Sequence, residues 1–153
     1  DPVALRGPYG NFAVEPSERE LVFIGGGAGM APLRAQILDL LETQSSKRKI
    51  SYWYGARSLR ELYYEDVFDR LQSEHDNFEW HPALSEAEKS DAWEGFTGFI
   101  HQVAYDNYLA NHPAPESCEY YLCGPPLMVQ SVLAMLDELG VSMENIHYDD
   151  FGS

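Results

Sequence analysis

Three short stretches hold the residues whose types and spacing could do chemistry. The first is Gly25-Gly26-Gly27-Ala28-Gly29-Met30-Ala31-Pro32, glycines running straight into a segment of helical period. Glycines let backbone approach an anion closely, and the first N–H groups of a helix, which lack partners inside it, point at that anion. Gly27, Gly29 and Pro32 read G-x-G-x-x-P, with proline where a dinucleotide fingerprint would carry its third glycine. Proline suits the first turn of a helix, because the N–H it lacks would have no partner there. A glycine cluster alone reads equally well as a tight turn, so its assignment draws on its surroundings.

The second stretch is Cys123-Gly124-Pro125-Pro126, a thiol at the end of an apolar run followed by a glycine and a helix-starting proline. Alone, such a cysteine is a small hydrophobe packed under a turn. Set beside the first turn, it borders the same crevice. The third is Gly55-Ala56-Arg57-Ser58, which follows the second strand where such folds meet the adenosine ribose. An acidic residue there suits NAD and an arginine suits NADP. Arg57 and Arg60 are basic, whereas Glu61 is acidic but displaced down the chain. The local residues leave NADH and NADPH both open, and Arg60 and Glu61 also fit a solvated helix face.

Other chemistries find little support. Five histidines, His75, His81, His101, His112 and His147, are scattered, none paired with another at helix or hairpin ligand spacing, so a zinc site is not expected. No Gly-x-Ser-x-Gly elbow is present and no P-loop lysine follows the glycines. The net charge of -15 repels phosphate backbones and anionic lipid, which argues against nucleic-acid and peripheral membrane binding. An anionic dinucleotide must therefore be held by local donors against the global field. The two cysteines, Cys118 and Cys123, make no disulfide framework; their odd separation along a strand sends them to opposite faces as reduced thiols. Neither a membrane-spanning run nor a signal peptide is expected.

The elements that must position these stretches follow from periodicity. Leu21-Val22-Phe23-Ile24 is a strand buried on both faces. Leu33, Ile37, Leu40 and Leu41 then share a helical face. Strand Ile50–Tyr54 precedes a helix marked by Leu59, Tyr63, Val67 and Leu71. A third strand, Phe78–His81, alternates as near a sheet edge. Residues 82–98 read as a long acidic loop whose length suggests insertion or function. Ile100, Val103, Ala104 and Tyr108 mark a helix ended by Asn111-His112-Pro113. Strand Glu119–Cys123 leads into the clearest apolar stripe, Leu127, Met128, Val132, Met135, Leu136 and Leu139, capped by Gly140. Strand Ile146–Tyr148 and a tail, Asp149 to Ser153, complete the chain. This alternation predicts an α/β domain with a five-stranded parallel sheet of order 3-2-1-4-5 and helices on both faces. The glycine-bearing turns after Ile24 and after Cys123 flank the point where that order reverses, where ligands bind in such sheets.

Gly-Pro-Tyr-Gly at 7–10, G-x-G-x-x-P at 27–32, Gly-x-Arg-Ser at 55–58, Cys-Gly-Pro-Pro at 123–126 and an aromatic near the carboxyl terminus occur in one order. In that order they resemble ferredoxin-NADP+ reductase-like proteins. Gly25 to Arg34, Gly98-Phe99-Ile100-His101, Cys118-Glu119-Tyr120-Tyr121 and the ending Asp149-Asp150-Phe151-Gly152 are similar to one branch, the F subunits of Na+-translocating NADH:quinone oxidoreductases. The resemblance covers nearly the whole chain.

It implies that residues 16–153 form an NADH-binding domain and residues 1–15 the closing strand of an FAD-binding barrel plus a linker. The chain would be a piece of a longer flavoprotein, soluble by itself, whose full length works at the cytoplasmic face of the bacterial inner membrane. It would bind NADH but not stably FAD, and would be inactive without the FAD domain. FAD and a 2Fe-2S cluster would belong to the full-length protein, and its partners would be its own FAD and ferredoxin-like domains and other subunits of the respiratory complex. By the same resemblance Gly26, Gly27, Ala28, Gly29, Met30, Ala31 and Pro32 hold the pyrophosphate. Gly55, Ala56, Arg57 and Ser58 line the adenosine end, and Gly124, Pro125 and Met128 border the crevice. Cys123 would sit against nicotinamide C4, and Phe151 would cover the flavin and move aside for the nicotinamide. Hydride would pass from NADH to FAD, then electrons through the cluster to quinone. Two other readings remain: the reductase component of a bacterial oxygenase, and a nucleotide-binding docking module without redox role.

Overall fold

Runs of apolar residues with no polar interruption become the middle of a parallel sheet. The computed structural model describes residues 14–27 and 30–150. Strand β1 (Leu21–Gly26) is buried at every position and lies between β2 (Ile50–Ala56) and β5 (Glu119–Gly124), both parallel to it. Outside β2 lies β3 (Phe78–Leu84), and outside β5 lies β6 (Ile146–Asp150). A two-residue strand, β4 (Phe96–Thr97), pairs with Ala83 and Leu84 at the far edge. The order is β4-β3-β2-β1-β5-β6.

The expected order of the five principal strands is present, but the sheet has six strands, not five. Strand β4 is too short to show a period, and it lies within the stretch 82–98 read as a loop. That stretch also contains the end of β3 and a 3-10 turn, Lys89–Asp91. Pro82 is accommodated because β4 reaches only the last two residues of β3, so the strand has one neighbour at the proline. At the other edge β6 continues to Asp150, two residues into the expected tail, pairing Asp149 with Cys123 and Asp150 with Gly124.

Alternation along the strands sorts the core into two layers. Phe23, Tyr52, Tyr54, Tyr121 and Cys123 pack with helix α1 (Met30–Leu38) and helix α2 (Glu65–Glu74). Val22, Ile24, Trp53, Tyr120 and Leu122 pack with α3 (Ile100–Asn107) and α4 (Pro126–Glu138). The two cysteines fall in different layers, as their spacing predicts. Helix α1 runs on as a π-helical turn, Asp39–Thr43, which buries Leu40 and Leu41.

The helix expected from Leu59 to Leu71 is two pieces. A 3-10 turn spans Leu59–Glu61, and α2 starts only after Tyr64, whose φ is 66°. Leu62 is the side chain that docks, while Tyr63 stays 56% exposed, so the apparent stripe through Tyr63 is broken. The consequence is functional. Residues 57–64 form an irregular segment beside the carboxyl edge of the sheet instead of a helix leading away from it.

Candidate functional site

Because all strands are parallel, β1, β2 and β5 end on one edge, and the order reverses between β1 and β5 there. Gly25 stands opposite Tyr54 of β2 and Cys123 of β5, and Gly26 stands opposite Gly55. A Cβ on Gly26 would lie 2.8 Å from Met128 Sδ and 3.3 Å from the Gly55 carbonyl oxygen, so a side chain there would force Met128 to move. Gly27 has φ +53°, a left-handed conformation that glycine adopts without strain. Its carbonyl accepts a hydrogen bond from the Tyr54 hydroxyl at 2.9 Å. Burial, with Tyr63 and Glu61 nearby, pushes the Tyr54 phenol up to about 12, so it keeps its proton and donates at neutral pH.

Ala28 and Gly29 lie outside the described residues. Helix α1 opens at Met30, with Ala31 exposed and Pro32 in the first turn, where its sequence position implied. No acidic residue occupies that turn, so nothing there opposes the positive end of the helix dipole. The Tyr52 hydroxyl reaches Met30 Sδ at 3.3 Å, a second brace from β2. One turn further, the Arg34 guanidinium lies 4.2 Å from the centre of the Tyr64 ring, tying α1 to segment 57–64.

The second turn completes the edge. Gly124 ends β5, Pro125 is extended at φ -61° and ψ 150°, and Pro126 opens α4. Met128 lies over both glycine turns, its Sδ near Gly26 and its Cε 3.0 Å from where a Gly124 Cβ would stand. Leu127 is 78% exposed beside it. Cys123 is fully buried in the layer of Tyr52 and α1, so its thiol lies beneath the floor of the crevice. Phe151 lies outside the described residues.

At the far end, Ala56 O accepts the Ser85 N–H at 3.0 Å and Arg57 O accepts the Glu86 N–H at 2.7 Å, which binds the loop after β3 to the loop after β2. Ser58 stands at the start of the 3-10 turn without capping it. Arg57 is exposed and held by Glu61 through two contacts, Nη2 to Oε2 at 2.8 Å and Nε to Oε1 at 3.3 Å. The hydrogen bond from Arg57 holds the Glu61 carboxyl below its usual range. Arg60 lies 3.8 Å from Glu88.

One crevice edge therefore gathers the glycine turn, the Cys-Gly-Pro-Pro turn and the Gly-Ala-Arg-Ser turn. It presents backbone donors and a helix terminus at its centre and a charged cluster at one end, an arrangement able to hold an extended diphosphate. Sequence reasoning missed Tyr54 and Glu86. Tyr54 carried a signal, a tyrosine immediately before a glycine at the end of the neighbouring strand. Glu86 carried none, because its role depends on a loop-to-loop contact.

A second cluster lies at the opposite edge. Glu20, His112 and Cys118 bring one ligand atom each within 4.8 Å of one another, beside a cavity of about 450 Å³. Spacing along the chain gave no hint of it. Its members are joined by hydrogen bonds. The Ala114 N–H donates to His112 Nδ1 at 3.0 Å, which leaves the proton of a neutral ring on Nε2, facing Glu20 Oε1 at 2.9 Å. Tyr108 donates to the other Glu20 oxygen. Burial, and then Glu20, push the Cys118 thiol up to about 12, so it is not a thiolate.

Known proteins share this architecture. The family model for the oxidoreductase NAD-binding domain matches residues 23–133. The F subunit of the Na(+)-translocating NADH-quinone reductase of Yersinia enterocolitica is 59% identical over 152 residues, 99% of this chain. The chain spans 37% of that relative's length. Among solved structures, the reductase GcoB of Amycolatopsis superposes with a TM-score of 0.80 at 28% identity, covering 95% of this chain and 42% of that one. The ferredoxin reductase in carbazole 1,9a-dioxygenase gives 0.71 at 31% identity, covering 91% and 40%.

Proposed function

The chain belongs to the oxidoreductase NAD-binding domain family, and from that premise we propose that it is the NADH-binding domain of the flavoprotein component of a Na+-translocating NADH-quinone reductase. The observation that carries this reading is the 59% identity, sustained over 99% of the chain, to the F subunit of such an enzyme. The two reductases with oxygenase or other partners are similar at only 28% and 31%. Residues 1–15 are then the closing strand of an FAD-binding barrel and its linker; residues 1–13 lie outside the described structure.

In this reading the pyrophosphate rests on the Gly26–Gly27 backbone and the first N–H groups of α1, whose dipole and missing side chains favour an anion against a chain charge of -15. Tyr54 holds the turn through the Gly27 carbonyl, and Met128 keeps the two glycine turns in register. Arg57 and Ser58 border the adenosine ribose. Pro125 and Gly124 direct the other end of the ligand along the top of β5, above Cys123. Phe151 is assigned to cover the flavin until the nicotinamide arrives. When bound to the rest of the polypeptide, FAD would supply the hydride acceptor and a 2Fe-2S cluster the one-electron path towards quinone. Both groups belong to the parts of the polypeptide that this chain does not span. The two cysteines here are buried in opposite layers and are no cluster-ligand set. Catalysis by this chain is positioning, since hydride transfer itself needs no acid or base from it. The full-length protein acts at the membrane, although no helix among the described residues is long and apolar enough to cross one.

Titration of this chain with NADH, NADPH and AMP tests the binding half of the proposal. Saturable NADH binding with 1:1 stoichiometry is expected. Rapid reduction of flavin by NADH in the full-length protein is expected too, and its absence from a folded, FAD-loaded protein would remove the assignment.

A further inference from the structure

Arg57 stands where an arginine would ordinarily welcome a ribose 2′-phosphate, yet the structure surrounds it with acid. Glu61 engages it through two contacts at 2.8 and 3.3 Å. Glu86 is fastened to the same turn by its own N–H, 2.7 Å from the Arg57 carbonyl, and its charge acts on the Arg57 guanidinium. The next arginine, Arg60, faces Glu88 at 3.8 Å. Two positive charges therefore meet three negative ones at this end of the crevice. We propose that Glu61 and Glu86, by neutralising Arg57, make this site select a dinucleotide with a free ribose 2′-hydroxyl over one carrying a 2′-phosphate.

The inference rests on the dinucleotide-binding reading above and adds the residues that discriminate within it. The Arg57–Glu61 pair is exposed, 70% and 39% for the two side chains, so parting it costs little. Discrimination does not come from locking Arg57 away. It comes from the carboxylates left behind when Arg57 turns to a phosphate of nearly two negative charges. A free 2′-hydroxyl meets no such repulsion. Glu61 and Glu86 are positioning residues in this scheme, acting on the ligand through the field around Arg57.

The test uses the full-length protein with FAD bound and measures Kd for NADH and for NADPH by titration. Wild type is expected to bind NADH more tightly. In Glu61→Gln/Glu86→Gln the ratio of the NADPH Kd to the NADH Kd should fall about tenfold, the scale of nearby charges acting on a phosphate at a wet surface. Adding Arg57→Ala to that variant should restore most of the ratio, because the gain depends on a freed arginine. In flavin reduction the change should appear in KM for NADPH and not in kcat. An unchanged ratio in a variant that still binds NADH overturns the inference and leaves the dinucleotide reading standing. A ratio that falls only because NADH binds worse, and that ignores Arg57→Ala, overturns the route through Arg57. Wild type that binds neither nucleotide overturns both.

Discussion

At the edge where the strands begin, Arg48 is 8% exposed on its side chain and hydrogen-bonds four groups from two parts of the chain, residues 15–19 and Glu119. It reaches Arg19 O at 2.8 Å, Glu15 O at 2.9 Å, Ser17 Oγ at 2.8 Å and Glu119 Oε1 at 2.8 Å. The Glu15 N–H donates to Tyr121 OH at 2.8 Å, and Glu20 takes His112 and Tyr108. At the edge where the strands end, the described side-chain ties are sparser, chiefly Tyr54 to Gly27, Tyr52 to Met30 and Arg57 to Glu61. Its shape comes from missing side chains at Gly26, Gly27 and Gly55. The difference separates two jobs. One edge fastens residues 14–20 to the sheet with charge; the other keeps backbone bare for a ligand.

The largest effect that should separate the two edges is on stability. Arg48→Met removes one partner of a buried ion pair and strands Glu119, which should cost about 3 kcal/mol of unfolding free energy in urea. Ser17 and the His147 imidazole, 3.7 Å from Glu119, offset part of the loss. Affinity for NADH should change by less than about twofold, because the substitution lies at the opposite end of β1. A matching loss of NADH affinity would show that the edges are coupled and would break the comparison.

The same division explains what could be read from the sequence. The nucleotide edge was legible because its requirements are local: glycines, prolines and the apolar runs beside them lie within a dozen residues, and each constrains backbone directly. Strand order followed from the alternation of elements and the handedness of crossovers. The linker edge was not legible, since Arg48 and Glu119 are 71 residues apart and Glu20 and His112 are 92 apart. Each of those four looks like a surface polar residue until the fold joins them. Strand β4 had no period to read, and the break at Tyr64 hid inside a false helical stripe. Glu61 fits either a ligand-facing or a solvated position from sequence alone, because the 3-10 turn that aims it at Arg57 leaves no pattern.

An intermediate effect with the opposite signature is expected from Gly26→Ala. The new methyl would stand 2.8 Å from Met128 Sδ and 3.3 Å from the Gly55 carbonyl oxygen. Methionine is flexible, so the thioether shifts, and an upward shift carries it into the crevice above the two glycine turns. Unfolding free energy should fall by about 1 kcal/mol, the lower end for an overpacked site. The NADH Kd should rise about tenfold if the displaced thioether occupies part of the ligand's path, a loss of about 1.4 kcal/mol. Stability lost without any change in Kd would mean that Met128 yields sideways and does not border the ligand.

The smallest effect is the sharpest probe of how the bare edge is held. Tyr54→Phe deletes one hydroxyl and leaves the ring packed against Tyr52, 6.0 Å away between centroids. Among the described residues the hydroxyl bonds Gly27 O at 2.9 Å, and burial keeps it protonated at neutral pH. Its loss should lower stability by about 0.5–1 kcal/mol, the net worth of one neutral hydrogen bond. If that bond also pre-sets the turn, the NADH Kd should rise about threefold, because the ligand must then order the turn as it binds. A stability change with an unaltered Kd would instead mean that Gly27 finds its left-handed conformation unaided, and that β2 contributes packing alone to the pyrophosphate site.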